Sequence, residues 1–328
     1  MIWQLWLTGC AAVMLAAGAA RGGGEGGQVN LLVMGDWGYP MDGQKTAAAG
    51  MVRYAQAAKL RFDAVLAPGD CFKKKPGSDQ GEENMHAGFE KMYDAAVLPM
   101  PFYAVVGNHD VEYGMVKPML AYAAKHPESR WKMPARWYRL SFPETQPLVC
   151  VFMLDTNKSS LPAEQWKAQM EWLQKELSAV AAMEGAAGGH QRPWIVICGH
   201  HPLFSPGAHG DSRAMQSELG PLLKKHAVDF HISGHDHILA HVQPEGWHTI
   251  FVISGGGGEN INRSVKAGGV PFCRAMHGFA HMQFSQRQAV VSFVDGDGQT
   301  VYTFRRQRAA ASGADAAPVR EGRQAGRP

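Results

Sequence analysis

Cysteine is scarce in this chain of 328 residues: there are five, and no two of them stand at C-x-x-C spacing. That removes zinc knuckles and thioredoxin-like redox motifs from consideration. Cys10 belongs to the N-terminal apolar run, and Cys71, Cys150, Cys198 and Cys273 remain. Cys150 and Cys198 sit inside strand-like runs, where a free cysteine behaves as a small buried hydrophobe. Charge of either sign is also sparse, at 19% charged residues and a net +3. Six arginines against Asp315 and Glu321 put +4 into residues 305–328 alone, so the rest of the chain carries about −1. A near-neutral body lacks the basic footprint that nucleic-acid binding requires. Long apolar runs are limited to one, and no internal repeat is present. Hydrophobic residues make up 45% of the chain, enough for a sizeable core, and 38 glycines announce many tight turns and close backbone approaches.

The two ends differ from the body. Residues 2–20 form the apolar run, closed by Ala17, Ala19 and Ala20 and followed by Arg21 and a Gly-rich stretch to Gly27. This predicts an export signal with an A-x-A-like cleavage site. A retained anchor facing outside is the alternative, since 19 apolar residues just span a bilayer. Leu7-Thr8-Gly9-Cys10 also resembles a lipoprotein box. The expected organisation is therefore a signal or anchor over 1–20, a Gly-rich linker over 21–28, one folded domain over 29–305, and a disordered Ala/Gly/Arg-rich tail over 306–328. The expected location is the periplasm or the outside of the cell.

Within the body, short runs rich in Val, Ile, Phe and Leu recur at 31–34, 64–67, 102–106, 148–154, 194–198, 230–233 and 251–254. Their length and composition predict strands buried on both faces. Helices are predicted between them at about 46–59 and 213–226. A third follows Pro162, where Trp166, Met170, Leu173, Leu177 and Val180 make one apolar stripe. The alternation defines an α/β fold.

Polar residues gather where those strands stop. The successive strand ends read Gly35-Asp36, Gly69-Asp70, Gly107-Asn108-His109-Asp110, Gly199-His200-His201-Pro202 and Gly234-His235-Asp236-His237. A single strand-Gly-Asp is ordinarily a turn. Five in succession, at the strand ends where ligands collect in open α/β sheets, imply a site. Carboxylate, amide oxygen and imidazole together suit borderline divalent metals such as Zn, Fe or Mn. The glycines are expected to take the sharp turns that aim the next side chain into the crevice.

This ordered set resembles the calcineurin-like metallophosphoesterases, and most nearly the small tartrate-resistant purple acid phosphatases. The resemblance spans about 31–254 and includes the stretches 131–142 (WKMPARWYRLSF) and 152–156 (FMLDT). It implies a two-sheet β-sandwich flanked by helices, in αββα layers. It also implies two metal ions, divalent or mixed-valence Fe, Zn or Mn, bridged by Asp70. Asp36, Asp70 and His237 correspond to the first position, and Asp70, Asn108, His200 and His235 to the second. His109 and His209 match the family's catalytic histidines, and histidine as a residue type suits proton transfer near neutrality. The implied activity is hydrolysis of small phosphomonoesters, by a monomer that meets a membrane only through its N-terminus. A phosphodiesterase or nucleotide hydrolase on the same core is the near alternative. A pseudoenzyme that only binds phosphorylated ligands is the alternative of another class.

The chain departs from the pattern at one point. Where purple enzymes carry a tyrosine ligand three residues after the bridging aspartate, this chain has Lys73. Neither is there a histidine two residues after Asp36 to replace it. An ammonium does not ligate while protonated, and it repels a cation. Lys73 thus pairs with substrate phosphate, swings out with Lys74 and Lys75, or leaves the first position too weak to hold its ion. The thiol of Cys71 is expected to face away. The insert 73–84 and the loop 207–212 are expected to border the entrance. The run 255–258 with Glu259 resembles the family's post-strand turn and is read as flexible.

Overall fold

The computed structural model describes residues 27–74, 81–183, 192–261, 264–266 and 268–308. The export or anchor segment 1–20, most of the linker, residues 75–80 of the lysine-led insert and the tail from 309 lie outside the described residues. The chain opens with β1 (Val29–Val33), α1 (Gly43–Ala58) and β2 (Ala64–Ala67), then a short α2 (Gly81–Met85) running into a π-helical turn at His86–Glu90. There follow β3 (Phe102–Ala104), α3 (Asn108–Glu112), α4 (Val116–Lys125), β4 (Trp131–Lys132), β5 (Tyr138–Phe142) and β6 (Val149–Met153). The next elements are α5 (Ala163–Ala181), β7 (Trp194–Cys198), α6 (Arg213–Lys225), β8 (Phe230–Ser233), β9 (Leu239–Val242) and β10 (Ile250–Ser254). The last four strands are β11 (Phe272–Arg274), β12 (Gly278–Phe284), β13 (Gln288–Asp295) and β14 (Thr300–Gln307).

These strands form two seven-stranded sheets, ordered β14-β13-β12-β1-β2-β3-β4 and β11-β9-β10-β8-β7-β6-β5. In the first sheet β1 to β4 run parallel and β12 to β14 pair antiparallel at the other margin; in the second the middle is parallel and both margins are antiparallel. Alternation along β1 sorts its side chains between two cores. Leu31 and Val33 face the second sheet, packing with Val151, Val196 and Ile232, whereas Leu32 and Met34 face Met51 and the aromatic cluster of Phe89 and Trp131. A third core lies outside the second sheet, where Ile195 and Ile197 meet Leu173 and Leu177 of α5 and Leu219 and Leu223 of α6. The layers are thus helix, sheet, sheet, helix, with central strands apolar on both faces because both are covered. No helix among the described residues is long and apolar enough to cross a membrane.

The seven runs picked out by composition all become strands. The C-terminal strands β12, β13 and β14 are not among them. β13 alternates between half-buried and buried residues, a two-period pattern with no continuous apolar run. The folded body also passes the expected boundary at 305: β14 runs through Gln307, and the Arg306 guanidinium donates to His248 O at 2.6 Å and Asp229 O at 3.1 Å. The helix read after Pro162 begins at Ala163, with Pro162 as its N-cap residue.

Candidate metal centre

The loops after β1, β2, β3, β7 and β8 converge at one end of the sandwich. Their backbones are stitched to one another: Asp36 N donates to Gly69 O at 3.0 Å, Gly38 N to Asp70 O at 3.0 Å, and Gly234 N to His200 O at 3.1 Å. The glycines at the strand ends act differently from expectation. Only Gly69 of the five takes a positive φ; the left-handed conformation falls instead on Asp36 (φ 58), Asp70 (φ 50) and His235 (φ 70), the residues that carry the functional groups. Non-glycine residues held there are rare and cluster at functional sites. What the glycines supply is room. A Cβ on Gly107 would lie 2.0 Å from Asp70 Oδ1, and one on Gly234 would lie 2.1 Å from Asp36 Oδ2.

The second position comes together tightly. Asn108 Oδ1 is 2.9 Å from both His200 Nε2 and His235 Nδ1; those two nitrogens are 3.2 Å apart, and Asp70 Oδ2 lies 3.3 Å from His200 Nε2. Ions bound at about 2.0–2.2 Å hold tetrahedral donors about 3.3–3.6 Å apart. These donors therefore sit slightly inside the spacing that a bound ion sets, with lone pairs facing one another. His200 Nδ1 donates to Pro68 O at 2.8 Å, which turns its Nε2 inward with its lone pair available to a metal. The donor set, two imidazoles, an amide oxygen and a carboxylate, fits a borderline divalent ion.

Electrostatics agree. Burial, followed by the nearby Asp70 and Glu259 charges, raises the Asp36 carboxyl well above its ordinary range. Burial also opposes ionisation of Asp70, but His200 and His109 outweigh it and hold its carboxyl below the usual value. Burial and the surrounding histidines push His235 down to about 2, leaving a neutral imidazole. The oxygens and nitrogens of Asp36, Asp70 and His200 lie within 4.8 Å of one another, as do those of His200, His201 and His235.

The first position is arranged otherwise. His237 Nδ1 donates to Asn260 O at 2.7 Å, while its Nε2 lies 3.1 Å from Glu259 Oε2 and 3.9 Å from Asp36 Oδ1. Burial alone would lower the His237 pKa; the hydrogen bond and charge of Glu259 raise it instead. Lys73 does not swing out: its ammonium pairs with Glu259. The turn 255–259, read as flexible from sequence, is buried and packed, with Gly257 N donating to Gly35 O at 3.0 Å and Glu259 N to Asp36 O at 2.9 Å. Cys71 is buried in the apolar core, and burial followed by the charge of Asp110 pushes its thiol well up, so it offers no thiolate.

The two catalytic candidates flank the cluster. His109 N donates to Asp70 Oδ1 at 2.8 Å, and its ring places Nδ1 at 2.9 Å from Glu112 and Nε2 at 3.9 Å from Asp70 Oδ2. His209 lies over the His235 ring at 4.1 Å between centroids and is 55% exposed. Asp236 fixes it by accepting from both His209 N (3.0 Å) and His209 Nδ1 (2.9 Å), and Ser205 Oγ donates to the same buried carboxylate.

Several supporting residues were not assigned roles from sequence. Asp110 accepts from Cys71 N, Phe72 N and Gly107 N at 2.9–3.0 Å, clamping the loop that carries Asp70. Thr156 Oγ1 accepts from His200 N and His201 N and lies 2.8 Å from His201 Nδ1, which leaves the His201 proton on Nε2. Arg136 pairs with buried Asp155, joining the two stretches 131–142 and 152–156. Asp110 and Asp236 stand inside the quoted motifs, and their position next to a ligand was the available signal.

The chain belongs to the calcineurin-like phosphoesterases, whose family model matches residues 29–239. It is therefore a phosphoesterase, and its relatives are acid phosphatases. It is 27% identical over 312 residues to tartrate-resistant acid phosphatase type 5 of Homo sapiens, covering 86% of this chain and 92% of that protein. It is likewise 27% identical over 288 residues to purple acid phosphatase 17 of Arabidopsis thaliana, covering 84% and 83%. Among solved structures it shares its fold with GAP50, described as the anchor in the inner membrane complex of Plasmodium, with a TM-score of 0.73, 22% identity, and coverage of 87% and 90%.

Proposed function

We propose that this protein is an exported, metal-dependent phosphatase that hydrolyses small phosphomonoesters in the manner of the acid phosphatases. The observation that carries the reading is the convergence of Asp70, Asn108, His200 and His235, with His109 and His209 on either side. A divalent iron, zinc or manganese ion held by those four residues supplies Lewis acidity, which lowers the pKa of water and neutralises phosphoryl charge. The chain's own residues do the rest. Asp236 anchors His209 at Nδ1, so its outward Nε2 is the atom that exchanges a proton with the leaving oxygen. His109, tied through Nδ1 to Glu112, presents Nε2 to the same space. His201, which burial and then the neighbouring His200 push down to about 3, offers a neutral Nε2–H donor. The tartrate-resistant and purple acid phosphatase relatives support the monoester class. The apolar run 2–20 supports export.

The test is hydrolysis of paired aryl phosphate mono- and diesters by protein reconstituted with Fe, Mn or Zn. Monoester turnover that disappears on chelation and in Asp70→Asn is the expected result. A preference for the diester would move the activity to phosphodiesterase. Phosphate binding with no turnover under any metal would make the protein a binder.

A further inference from the structure

The residues at the first position do not fit a metal ion as those at the second do. Asp36, Asp70 and Glu259 bury three carboxylates there, at 0%, 2% and 1% exposure. Lys73 reaches into that cluster with its side chain 14% exposed, and its direction is set by the backbone. Tyr39 pairs with Phe72 in a backbone bridge, and Lys73 N donates to Tyr39 O at 2.8 Å, so the residue three places after Asp70 is fixed where its side chain reaches Glu259. There the ammonium pairs with Glu259 Oε2, the same oxygen that lies 3.1 Å from His237 Nε2.

Glu259 is placed for this pairing. Its amide is tied to Asp36 O at 2.9 Å, and Gly38 opposite it has φ +50 and no room for a side chain, since a Cβ would fall 2.5 Å from Glu259 Cγ. Among the described residues Glu259 Oε1 has no hydrogen-bond partner, and the carboxylate is engaged through its other oxygen. An ammonium, a carboxylate and an imidazole thus meet beside Asp36, where a metal would need lone pairs directed at it. A protonated lysine offers no lone pair, and its charge repels a dication.

We propose that the Lys73 ammonium, held by Glu259, is the fixed second cation of this centre, so that the chain holds one metal ion, at Asp70, Asn108, His200 and His235. The proposal rests on the reading of those four residues as a metal site. It replaces the pair of ions that the family resemblance implies with one ion and one protein-borne charge. Like other lysines that meet phosphate, Lys73 would act as a point charge and not as a bidentate clamp.

Metal content, measured apart from activity, decides it. Full-length protein, Lys73→Met and Lys73→Ala are loaded with Mn(II) and dialysed, then assayed by elemental analysis and electron paramagnetic resonance. The wild type is expected to retain one ion per chain with the spectrum of isolated Mn(II). The variants are expected to bind a second ion on the order of 10–100-fold more tightly than the wild type, the scale on which outer groups tune metal affinity. They should then show a spin-coupled pair. Two tightly held ions in the wild type would overturn the proposal and leave the phosphatase reading intact. No ion in the wild type would overturn both. One ion in the wild type and still one in both variants would overturn the role given to Lys73.

Discussion

A single methyl group at Gly107 tests the arrangement of the centre. A Cβ there would lie 2.0 Å from Asp70 Oδ1 and 2.2 Å from Asp70 N, where ordinary contact begins at 3.4 Å. The backbone of Gly107, at φ −95, suits alanine, so the cost of Gly107→Ala is steric and not conformational. Relief requires Asp70 to retreat by more than 1 Å, which breaks the bonds from His109 N to Asp70 Oδ1 (2.8 Å) and from the adjoining Cys71 N to Asp110 Oδ1 (3.0 Å). Hydrogen bonds to charged groups contribute about 1.5–3 kcal/mol each, so the two together set a loss of about 3–6 kcal/mol. For a domain of this size that lowers Tm by on the order of 10 °C. Displacing a positioned group by about 1 Å costs roughly 10²-fold in rate. Thermal unfolding in chelator and metal-titrated arylphosphatase assays read the two effects separately. Gly268→Ala, with nothing among the described residues within 4 Å of its Cβ, is the control and should change neither. A Gly107→Ala protein with wild-type metal affinity and turnover would refute the placement of Asp70 as a ligand.

Three further outcomes are expected. Asp236→Ala frees the His209 ring, so kcat should fall by about 10²-fold, and adding His209→Ala should cost little more; additive losses would sever the link between the two residues. His231 is buried with neither ring nitrogen bonded among the described residues, and burial lowers its pKa to about 3. Its folded pKa lies below the unfolded value, so the unfolded chain binds the proton first and stability is lost as pH falls below about 6.5. His231→Leu should then gain about 2 kcal/mol over wild type on going from about pH 8 to pH 5, read by urea titration, and a pH-independent difference would refute the assignment. Iron-loaded protein should lack a visible tyrosinate-to-iron band, because Lys73 stands where that ligand would be; absorbance spectra settle it.

What could be read in advance follows from burial on one face or two. Central strands such as β1 and β7 are covered on both sides and therefore appear as unbroken apolar runs. The marginal strands β13 and β14 keep one face half exposed, and their alternation does not stand out from loop sequence. The candidate ligands stood out because each follows the end of a strand. The braces were harder: Asp110 and Asp236 look like further ligands in one dimension, and only the fold shows them bonded to amides and to His209. Glu259 was hidden by its setting, since four glycines before a glutamate read as a loose turn until the packing shows why nothing larger fits. Gly257 with a Cβ would meet Gly35 O at 2.2 Å. The partner of Lys73 lies 186 positions along the chain, beyond the reach of any local pattern.

The four residues of the second position come from different halves of the molecule. Asp70 and Asn108 follow β2 and β3 of one sheet, and His200 and His235 follow β7 and β8 of the other. An ion held there is a rivet across the seam of the sandwich. Affinity and foldedness then become one quantity, with free ion at a thousandfold excess over Kd adding about 4 kcal/mol to stability. Scarcity of metal would loosen the join between the sheets as well as silence the chemistry, and a chain starved of its ion would present itself to proteases before it presented itself to substrate.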